Sequence, residues 1–268
     1  MYSFANKTCL ITGAANGLGK ALAIALYQQG SHLILLDTDV EGLEQLRTAL
    51  EKSTQKITVF TADVSDEAAI IAIASSIQNT HPQIDILINN AGISISQPFE
   101  QMSTADHERL FAVNYWGTVH CTRYFLPLLK NSANSRLVNI ISSFALMGFP
   151  GKTAYASSKA AIMAFTASLR IELRGTSVTI QLVIPPPMAT HIVSSGKHTN
   201  REKQEAENHF LEKNGMPVNA AADKILRGIK TGRYRIIAGH TMFWADLAAR
   251  FFPSWINSFI GRKRFPFY

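Results

Sequence analysis

A tyrosine and a lysine four residues apart are the side chains of this sequence best suited to acid–base chemistry. Tyr155 and Lys159 lie in a stretch with helical character, and residues at i and i+4 share one face of a helix. A phenol ordinarily ionises near pKa ~10, and a neighbouring cation lowers that pKa toward neutral pH. The spacing therefore predicts an acid–base pair, although the same spacing also occurs in solvated surface helices.

Four further motifs accompany this pair along the chain. They are Thr-Gly-x-x-x-Gly-x-Gly on Thr12, Gly13, Gly17 and Gly19, Asn-Asn-Ala-Gly on Asn89, Asn90, Ala91 and Gly92, Asn114 in Val-Asn-Tyr-Trp-Gly, and Ser142 after an apolar run. Each motif alone is ambiguous, because short patterns recur by chance. Their order and spacing together resemble the short-chain dehydrogenase/reductase (SDR) family, and the resemblance covers nearly the whole chain.

The elements that would position these residues follow from hydrophobic periodicity. The predicted strands are Thr8–Thr12, His32–Leu36, Ile57–Thr61, Ile84–Asn89, Leu137–Ile141 and Thr179–Ile184, and the predicted helices lie near 17–29, 40–52, 66–79, 104–130 and 155–174. Continuous Val/Ile/Leu runs joined by helical crossovers indicate a parallel sheet that is covered on both faces. The sequence therefore predicts an α/β fold: a single-domain Rossmann fold, with a doubly wound parallel sheet and helices on both faces.

Three regions of different character are expected along the chain. The catalytic Rossmann domain spans residues 1–240, and an amphipathic basic extension spans 241–268. The polar segment at about 188–217 includes a helical stretch around Arg201–Asn214 and is expected to act as a substrate lid. The alternative for that stretch is a solvated surface helix.

The glycine motif and the acid after the second strand predict a dinucleotide site. The glycines follow the first strand and open the first helix, whose N-terminus can bind a pyrophosphate; the alternative is an ordinary strand–helix turn. Asp37 ends the second strand, where a carboxylate can accept both adenosine-ribose hydroxyls and would repel a 2′-phosphate. No Lys or Arg occupies Thr38 or Asp39, and Asn16 stands where NADP-preferring relatives often carry a basic residue. NAD(H) is favoured, with NADP(H) as the alternative.

The resemblance implies a role for each matching residue. The implied cofactor contacts are Gly13, Asn16, Gly17, Leu18, Gly19, Asp37, Asp63, Val64, Asn90, Ala91, Gly92, Tyr155, Lys159 and Thr190. The implied catalytic residues are Asn114, Ser142, Tyr155 and Lys159. The expected substrate contacts are Ser142, Tyr155, Phe144 and Pro187, within a set of apolar pocket candidates that also includes Ile93, Ser94, Leu146, Phe149 and Met188.

Some of these assignments have structural alternatives. Ser142 could merely cap its strand, with Ser143 as the reactive hydroxyl, and Asn114 could be a helix-distorting residue instead of part of a proton relay. The chain also departs from the family at Pro186, which stands after the sixth predicted strand where the family usually carries a glycine. A proline there should stiffen the loop.

The implied function is that of an NAD(H)-dependent oxidoreductase that interconverts a secondary alcohol and a ketone. Tyr155 would exchange the proton with substrate, Ser142 would hold the same oxygen, and Lys159 would lower the pKa of Tyr155 and bind the nicotinamide ribose. The apolar pocket candidates suggest a lipophilic small molecule. The alternatives are an NADP(H)-dependent carbonyl reductase and a catalytically inactive nucleotide-binding scaffold.

Composition argues against several other classes of protein. The net charge of +7 lies entirely in the part of the chain after residue 226, so the remainder is balanced and no nucleic-acid surface is expected. The two cysteines, Cys9 and Cys121, are predicted to be free thiols in the core, and no metal-ligand spacing is present. Without a signal peptide or spanning segment, a cytoplasmic protein is expected, with a location peripheral to a membrane as the alternative.

Two kinds of partner remain open from the sequence. Aromatic residues repeat at helical spacing between Met242 and Ile260, Pro253 should kink or divide that helix, and basic residues follow it. This pattern suits either peripheral contact with an anionic membrane or packing on the domain or a partner subunit. The resemblance also implies a homodimer or homotetramer formed through the helices near 104–130 and 155–174.

Overall fold

The computed structural model describes residues 2–50, 54–189 and 196–263, and within them a central sheet with helices on both faces. The strands are β1 Thr8–Thr12, β2 His32–Asp37, β3 Ile57–Thr61, β4 Ile86–Asn89, β5 Ile95–Ser96, β6 Ser135–Ile140, β7 Val178–Ile184, β8 Lys197–His198 and β9 Arg235–Ile237. Seven of them form one sheet in the order β3-β2-β1-β4-β6-β7-β9, and every neighbouring pair is parallel. The predicted doubly wound Rossmann fold is confirmed.

Ten helices of the described residues lie between or after these strands. They are α1 Gly17–Gln28, α2 Val40–Leu50, α3 Glu67–Thr80, α4 Thr104–Phe111, α5 Gly117–Asn131, α6 Thr153–Glu172, α7 Arg201–Asn214, α8 Val218–Thr231, α9 His240–Phe251 and α10 Pro253–Arg262. One face of the sheet packs on α1, α2 and α8, and the other packs mainly on α3 and α5. None of the described helices is long and apolar enough to cross a bilayer.

The strands read as continuous apolar runs because both of their faces are covered. In β2, Leu33 and Leu35 belong to one apolar cluster, whereas Ile34 and Leu36 belong to the cluster on the opposite face. Alternate side chains of a strand point to opposite faces, so a sheet between two helical layers needs apolar residues at every position. The same arrangement buries Cys9 and Cys121 as free thiols, and burial raises the pKa of both thiols to about 12.

The structure differs from the periodicity prediction in three places. The helix expected at 104–130 is interrupted by a π-helical turn, Ala112–Trp116, which separates α4 from α5. Helix α8 and strand β9 were not predicted; β9 has three residues, too few for a period to be read. A small parallel pair of β5 and β8 joins segments that are far apart in the chain. At the C-terminus, α10 begins at Pro253, so the proline divides the predicted helix in two.

Candidate active site

A cleft of about 980 Å³ opens at the carboxyl ends of the central strands. Its walls are formed by the segments that follow β1, β2, β3, β4, β6 and β7. Between β1 and β4 the chain connections turn to opposite sides of the sheet, and in open α/β sheets the binding crevice lies outside the strand ends at such a point. The position of the cleft therefore follows from the topology.

The glycine loop approaches the neighbouring loop too closely for side chains. Gly13 has φ +65°, and a Cβ on it would lie 2.8 Å from the Cα of Ala91. A Cβ on Gly19 would lie 1.9 Å from the carbonyl oxygen of Gly13, so helix α1 can begin against the loop only with glycine there. Asn90 fastens the two loops together, because its Nδ2 donates to the carbonyl oxygens of Thr12 and Gly13, each at 3.0 Å.

We expect Gly19→Ala to destabilise the protein by about 2 kcal/mol and to abolish dinucleotide binding. The added methyl group collides with the Gly13 carbonyl, and overpacking of a close contact typically costs about 1–3 kcal/mol. Chemical denaturation and fluorescence titration with NADH measure the two effects. The matched control is Gly261→Ala in α10, where a Cβ meets nothing within 4 Å. If both variants bind NADH equally well, Gly19 has no role in shaping the site.

Asp37 lies at the end of β2 beside the glycine loop. Its two carboxylate oxygens accept hydrogen bonds from the backbone N–H groups of Ala15, at 2.9 Å, and Asp39, at 3.1 Å. Asp39 in turn accepts from the Asn16 side chain at 2.8 Å. The described residues at this end of the cleft are therefore the carboxylates of Asp37 and Asp39 and the neutral amide of Asn16, and none of these three groups is a cation.

Asp63 and Val64 line the cleft after β3. Partial burial alone would raise the pKa of Asp63, but hydrogen bonds from Ser65 and Arg109 hold this pKa below its usual value. Asp63 is thus ionised and engaged with Arg109, which also reaches the cleft wall.

Ser142, Tyr155 and Lys159 meet at the inner end of the cleft. Burial raises the pKa of Tyr155 to about 12, a hydrogen bond with Ser142 opposes that rise, and the charge of Glu207 adds to it. Ser142 also accepts from the backbone N–H of Phe144 at 3.3 Å, so it caps the short helical turn Ser143–Ala145 as well as meeting the phenol.

The sequence-based expectation that Lys159 lowers the pKa of Tyr155 is wrong for the protein by itself. The Lys159 ammonium lies 6.0 Å from the centre of the Tyr155 ring and donates to the carbonyl oxygen of Ile140 at 3.3 Å. Burial lowers the pKa of Lys159 to about 8. Burial is therefore the largest influence on the pKa of each group.

Asn114 lies behind this group of residues and is fully buried in the π-helical turn. Its Oδ1 accepts from the Ile93 N–H at 2.9 Å, and its Nδ2 donates to the Ile93 carbonyl at 3.1 Å and to Ser158 Oγ at 2.9 Å. A Cβ on Gly92 would lie 3.0 Å from Asn114 Oδ1 and 3.2 Å from Lys159 Nζ. The side chain thus fixes the loop after β4 at the place where it passes Lys159, and the turn that contains it is π-helical instead of α-helical.

The outer part of the cleft is mostly apolar. Of the pocket candidates from the sequence, Ile93, Ser94, Phe144, Phe149, Pro187 and Met188 line it. Leu146 is a correction, because it packs on the apolar cluster of Ile141 and Leu182 instead of lining the cleft. Phe210 and Leu211 of α7 complete the wall with Met242 of α9.

A buried group of charges beside Tyr155 was missed from the sequence. Lys152 forms an ion pair with Glu207 of α7 at 2.8 Å, and both side chains are at most 5% exposed. The other carboxylate oxygen of Glu207 contacts His198 Nε2 and Ser96 Oγ, each at 3.0 Å. Lys152 also donates to Ser94 at 3.3 Å. No sequence signal marks Glu207, because it is one of four glutamates in the mostly polar helix α7.

Glu207 is the one buried residue of helix α7. Partial burial alone would raise its pKa, but the Lys152 ion pair, with hydrogen bonds from His198 and Ser96, holds the pKa of Glu207 below its usual value. The helix is therefore attached to the rim of the cleft through a charged contact, whereas most surface helices are attached through an apolar face.

Most of the sequence-predicted cofactor contacts line the same cleft. They are Gly13, Asn16, Gly17, Leu18, Asp37, Asp63, Val64, Asn90, Ala91, Gly92, Tyr155 and Lys159. Gly19 and Asn114 lie directly behind the wall, and Thr190 lies outside the described residues. Among the described residues, no group of three His, Cys, Asp or Glu side chains could hold a metal ion.

Comparison with known proteins identifies the family. The family model described as short chain dehydrogenase matches residues 7–201. SadH of Mycobacterium tuberculosis is 30% identical over 259 residues, which is 95% of this chain and 94% of SadH. An SDR from Burkholderia phymatum, solved in complex with NAD, has a TM-score of 0.84 and 25% identity over 93% of this chain and 94% of its own.

A second solved relative shares the fold at lower identity. This short chain dehydrogenase from Burkholderia cenocepacia, in complex with NADP, has a TM-score of 0.79 and 22% identity over 97% of this chain and 99% of its own. Both dinucleotides are therefore found on this fold. Because the family model covers most of the chain and the fold agrees, this protein belongs to the short-chain dehydrogenase/reductase family of oxidoreductases.

Proposed function

We propose that this enzyme interconverts a secondary alcohol and a ketone with NAD(H), using Tyr155 as acid and base. The observation that carries the proposal is the meeting of Ser142, Tyr155 and Lys159 at the inner end of one cleft, whose other end contains the glycine loop and Asp37. A scaffold without turnover would not need a serine hydroxyl and a lysine around a buried phenol.

The cleft fits a dinucleotide along its length. The backbone of the glycine loop and the N-terminus of α1 would hold the pyrophosphate, since first-turn N–H groups and the helix dipole attract anions. Asp37 would hold the adenosine ribose, with Asp63 and Val64 beside the adenine. Asn90, Ala91 and Gly92 would line the middle of the cofactor. When bound, the nicotinamide supplies or accepts the hydride.

Residues of the chain itself then transfer the proton to and from the substrate. Tyr155 Oη donates it to the carbonyl oxygen during reduction and accepts it from the alcohol during oxidation. Ser142 Oγ holds that same oxygen and stabilises the negative charge that develops on it. Lys159 would hold the nicotinamide ribose, and Asn114 would support a proton path from Lys159 to solvent.

A lipophilic substrate is supported by the residues that surround the reacting end. Phe144 packs against both Phe149 and Tyr155, with ring centres 4.8 and 6.1 Å apart. Pro187, Phe210 and Leu211 add further apolar surface. We take α7 to be the lid of this pocket, because it covers the substrate end and is held by the Lys152–Glu207 pair.

A panel of secondary alcohols and ketones tests this function through the absorbance change of NADH. We expect turnover to be greater with hydrophobic ring or chain substrates than with small polar ones. The absence of turnover with every substrate, despite tight NADH binding, would instead support a nucleotide-binding scaffold.

Cofactor choice should depend on Asp37. We expect Asp37→Ser to weaken NADH binding and to shift the NADPH/NADH preference by about 100-fold toward NADPH, because the repulsion of a 2′-phosphate is removed. Fluorescence titration with both cofactors measures the ratio. Asp223→Ser, on the exposed side of α8, is the matched control and should leave the ratio unchanged. A parent enzyme that prefers NADPH would contradict the assignment of NAD(H).

A homodimer or homotetramer is part of the proposal. The exposed Ile171 on α6 and Trp116 beside α5 support pairing of these helices, since large apolar side chains are usually covered. The mass in solution, measured by sedimentation, tests this point.

A further inference from the structure

Helices α9 and α10, the last two that the structure describes, form a pair whose buried side chains attach it to the domain. Ile256 and Ile260 of α10 are buried, and Asn257 accepts from the backbone N–H of Gly148 at 2.9 Å. Asp246 of α9 is buried in an ion pair with Arg235 of β9. These contacts place the pair at the rim of the cleft, which Met242 and Phe259 line.

The opposite side of the pair exposes large aromatic residues. Trp244, Phe251, Phe252 and Trp255 are 62–68% exposed. Phe251, Phe252 and Trp255 lie at the turn between α9 and α10, whereas Trp244 lies earlier in α9. Trp255 and Phe259 stack on each other with ring centres 5.7 Å apart. Monomeric proteins rarely expose so much contiguous apolar surface without a partner for it.

The charges of this aromatic surface have one sign. Arg250, Arg262 and Lys263 are exposed, and Lys263 lies 4.5 Å above the Phe259 ring. Asp246 is the sole acid from residue 224 to the end of the chain, and it is buried against Arg235. The chain from residue 227 to its end has a net charge of +7, and Arg250, Arg262 and Lys263 contribute three of its eight positive charges.

This combination favours a bilayer over a second copy of the chain. In a two-fold dimer the same patch faces itself, so its cations would meet cations with no acid of the patch to neutralise them. An anionic bilayer supplies the opposite charge, and tryptophan and phenylalanine side chains partition well into its headgroup region.

We infer that the exposed side of α9 and α10 docks on the surface of an anionic lipid bilayer and places the mouth of the cleft against it. A lipophilic substrate would then reach the cleft along Met242 and Phe259 without crossing bulk water. That second part rests on the proposed function, whereas docking itself is measured without turnover.

Sedimentation of the full-length protein with vesicles tests the inference. We expect binding to vesicles of phosphatidylcholine with phosphatidylserine, weak binding to phosphatidylcholine alone, and release by salt. Trp255→Ser should weaken the binding by about tenfold, because one large ring no longer leaves water. Arg262→Glu should weaken it by about fivefold or more, the effect of losing at least one surface cation.

Matched controls separate docking from misfolding and from general charge. Phe99→Ser changes an aromatic residue of similar exposure far from the pair in sequence, and Lys130→Glu reverses an exposed charge on α5. Both should bind vesicles like the parent, and all four variants should keep the parent's unfolding temperature. Equal binding to neutral and anionic vesicles would overturn the inference. The inference would also be overturned if the parent protein were a dimer that binds no vesicles and that the Trp255→Ser substitution dissociates.

Discussion

Replacing Tyr155 by phenylalanine should lower kcat by about 1,000-fold while NADH still binds. General acid–base catalysis typically contributes about 10²–10⁴-fold, and phenylalanine removes the hydroxyl but keeps the ring that packs on Phe144. Stopped-flow or steady-state assays with a confirmed substrate measure the loss. Tyr124→Phe is the matched control, because that hydroxyl donates to Glu67 and does not line the cleft. A Tyr155→Phe enzyme as fast as the parent would remove tyrosine from the mechanism.

The direction of the Tyr155 pKa shift also predicts how the two reactions depend on pH. Burial raises the pKa of Tyr155 to about 12, so the phenol is protonated at neutral pH in the protein alone. Ketone reduction needs this protonated form and should be retained at neutral pH. Alcohol oxidation needs the phenolate, so its rate should rise as the pH increases toward the pKa. Reduction that becomes faster, or oxidation that becomes slower, as the pH rises toward this pKa would be inconsistent with Tyr155 as the exchanging group.

Replacing Glu207 by glutamine should detach α7 from the rim of the cleft. The change leaves the Lys152 ammonium buried without its carboxylate, and removal of one partner from a buried ion pair costs about 3–5 kcal/mol. Because Glu207 is the one buried residue of α7, we expect this cost to appear as local opening. Faster proteolysis within α7, a raised KM and a smaller change in global unfolding are the expected measurements.

Two comparison variants make this result specific. Glu205→Gln on the same helix removes a carboxylate that pairs with Arg201 on the surface, and should change stability by less than about 1 kcal/mol. The double variant Lys152→Met with Glu207→Gln removes both charges and should recover much of the protection of α7. If Glu207→Gln is cleaved no faster than the parent, the buried pair does not hold the helix.

The same pair should weaken at low pH. The pKa of Glu207 is below its usual value while the pair is formed, so the pair contributes fully above the ordinary carboxyl pKa. Its contribution is lost as the pH falls through the lowered value.

Local patterns determined the fold and most of the residues around the cleft. Both faces of the central strands are covered, so each strand is a continuous apolar run that can be recognised without knowledge of its neighbours. The glycine loop and Asp37 follow strands directly, and the topology then brings them to one edge of the sheet. The predicted division of the C-terminal helix at Pro253 likewise needed nothing beyond the missing N–H of proline.

Tertiary structure decided what depends on distant segments meeting. Lys152 and Glu207 become partners only when α7 folds over the cleft, and nothing in the polar sequence of α7 distinguishes Glu207 from its neighbours. The pKa of Tyr155 rises because desolvation depends on everything packed around the phenol, which the spacing to Lys159 does not report. The sequence by itself determined which reactive groups this protein has and at which strand ends they lie. Only the packing of the folded chain decided which of these groups are buried, ionised and paired.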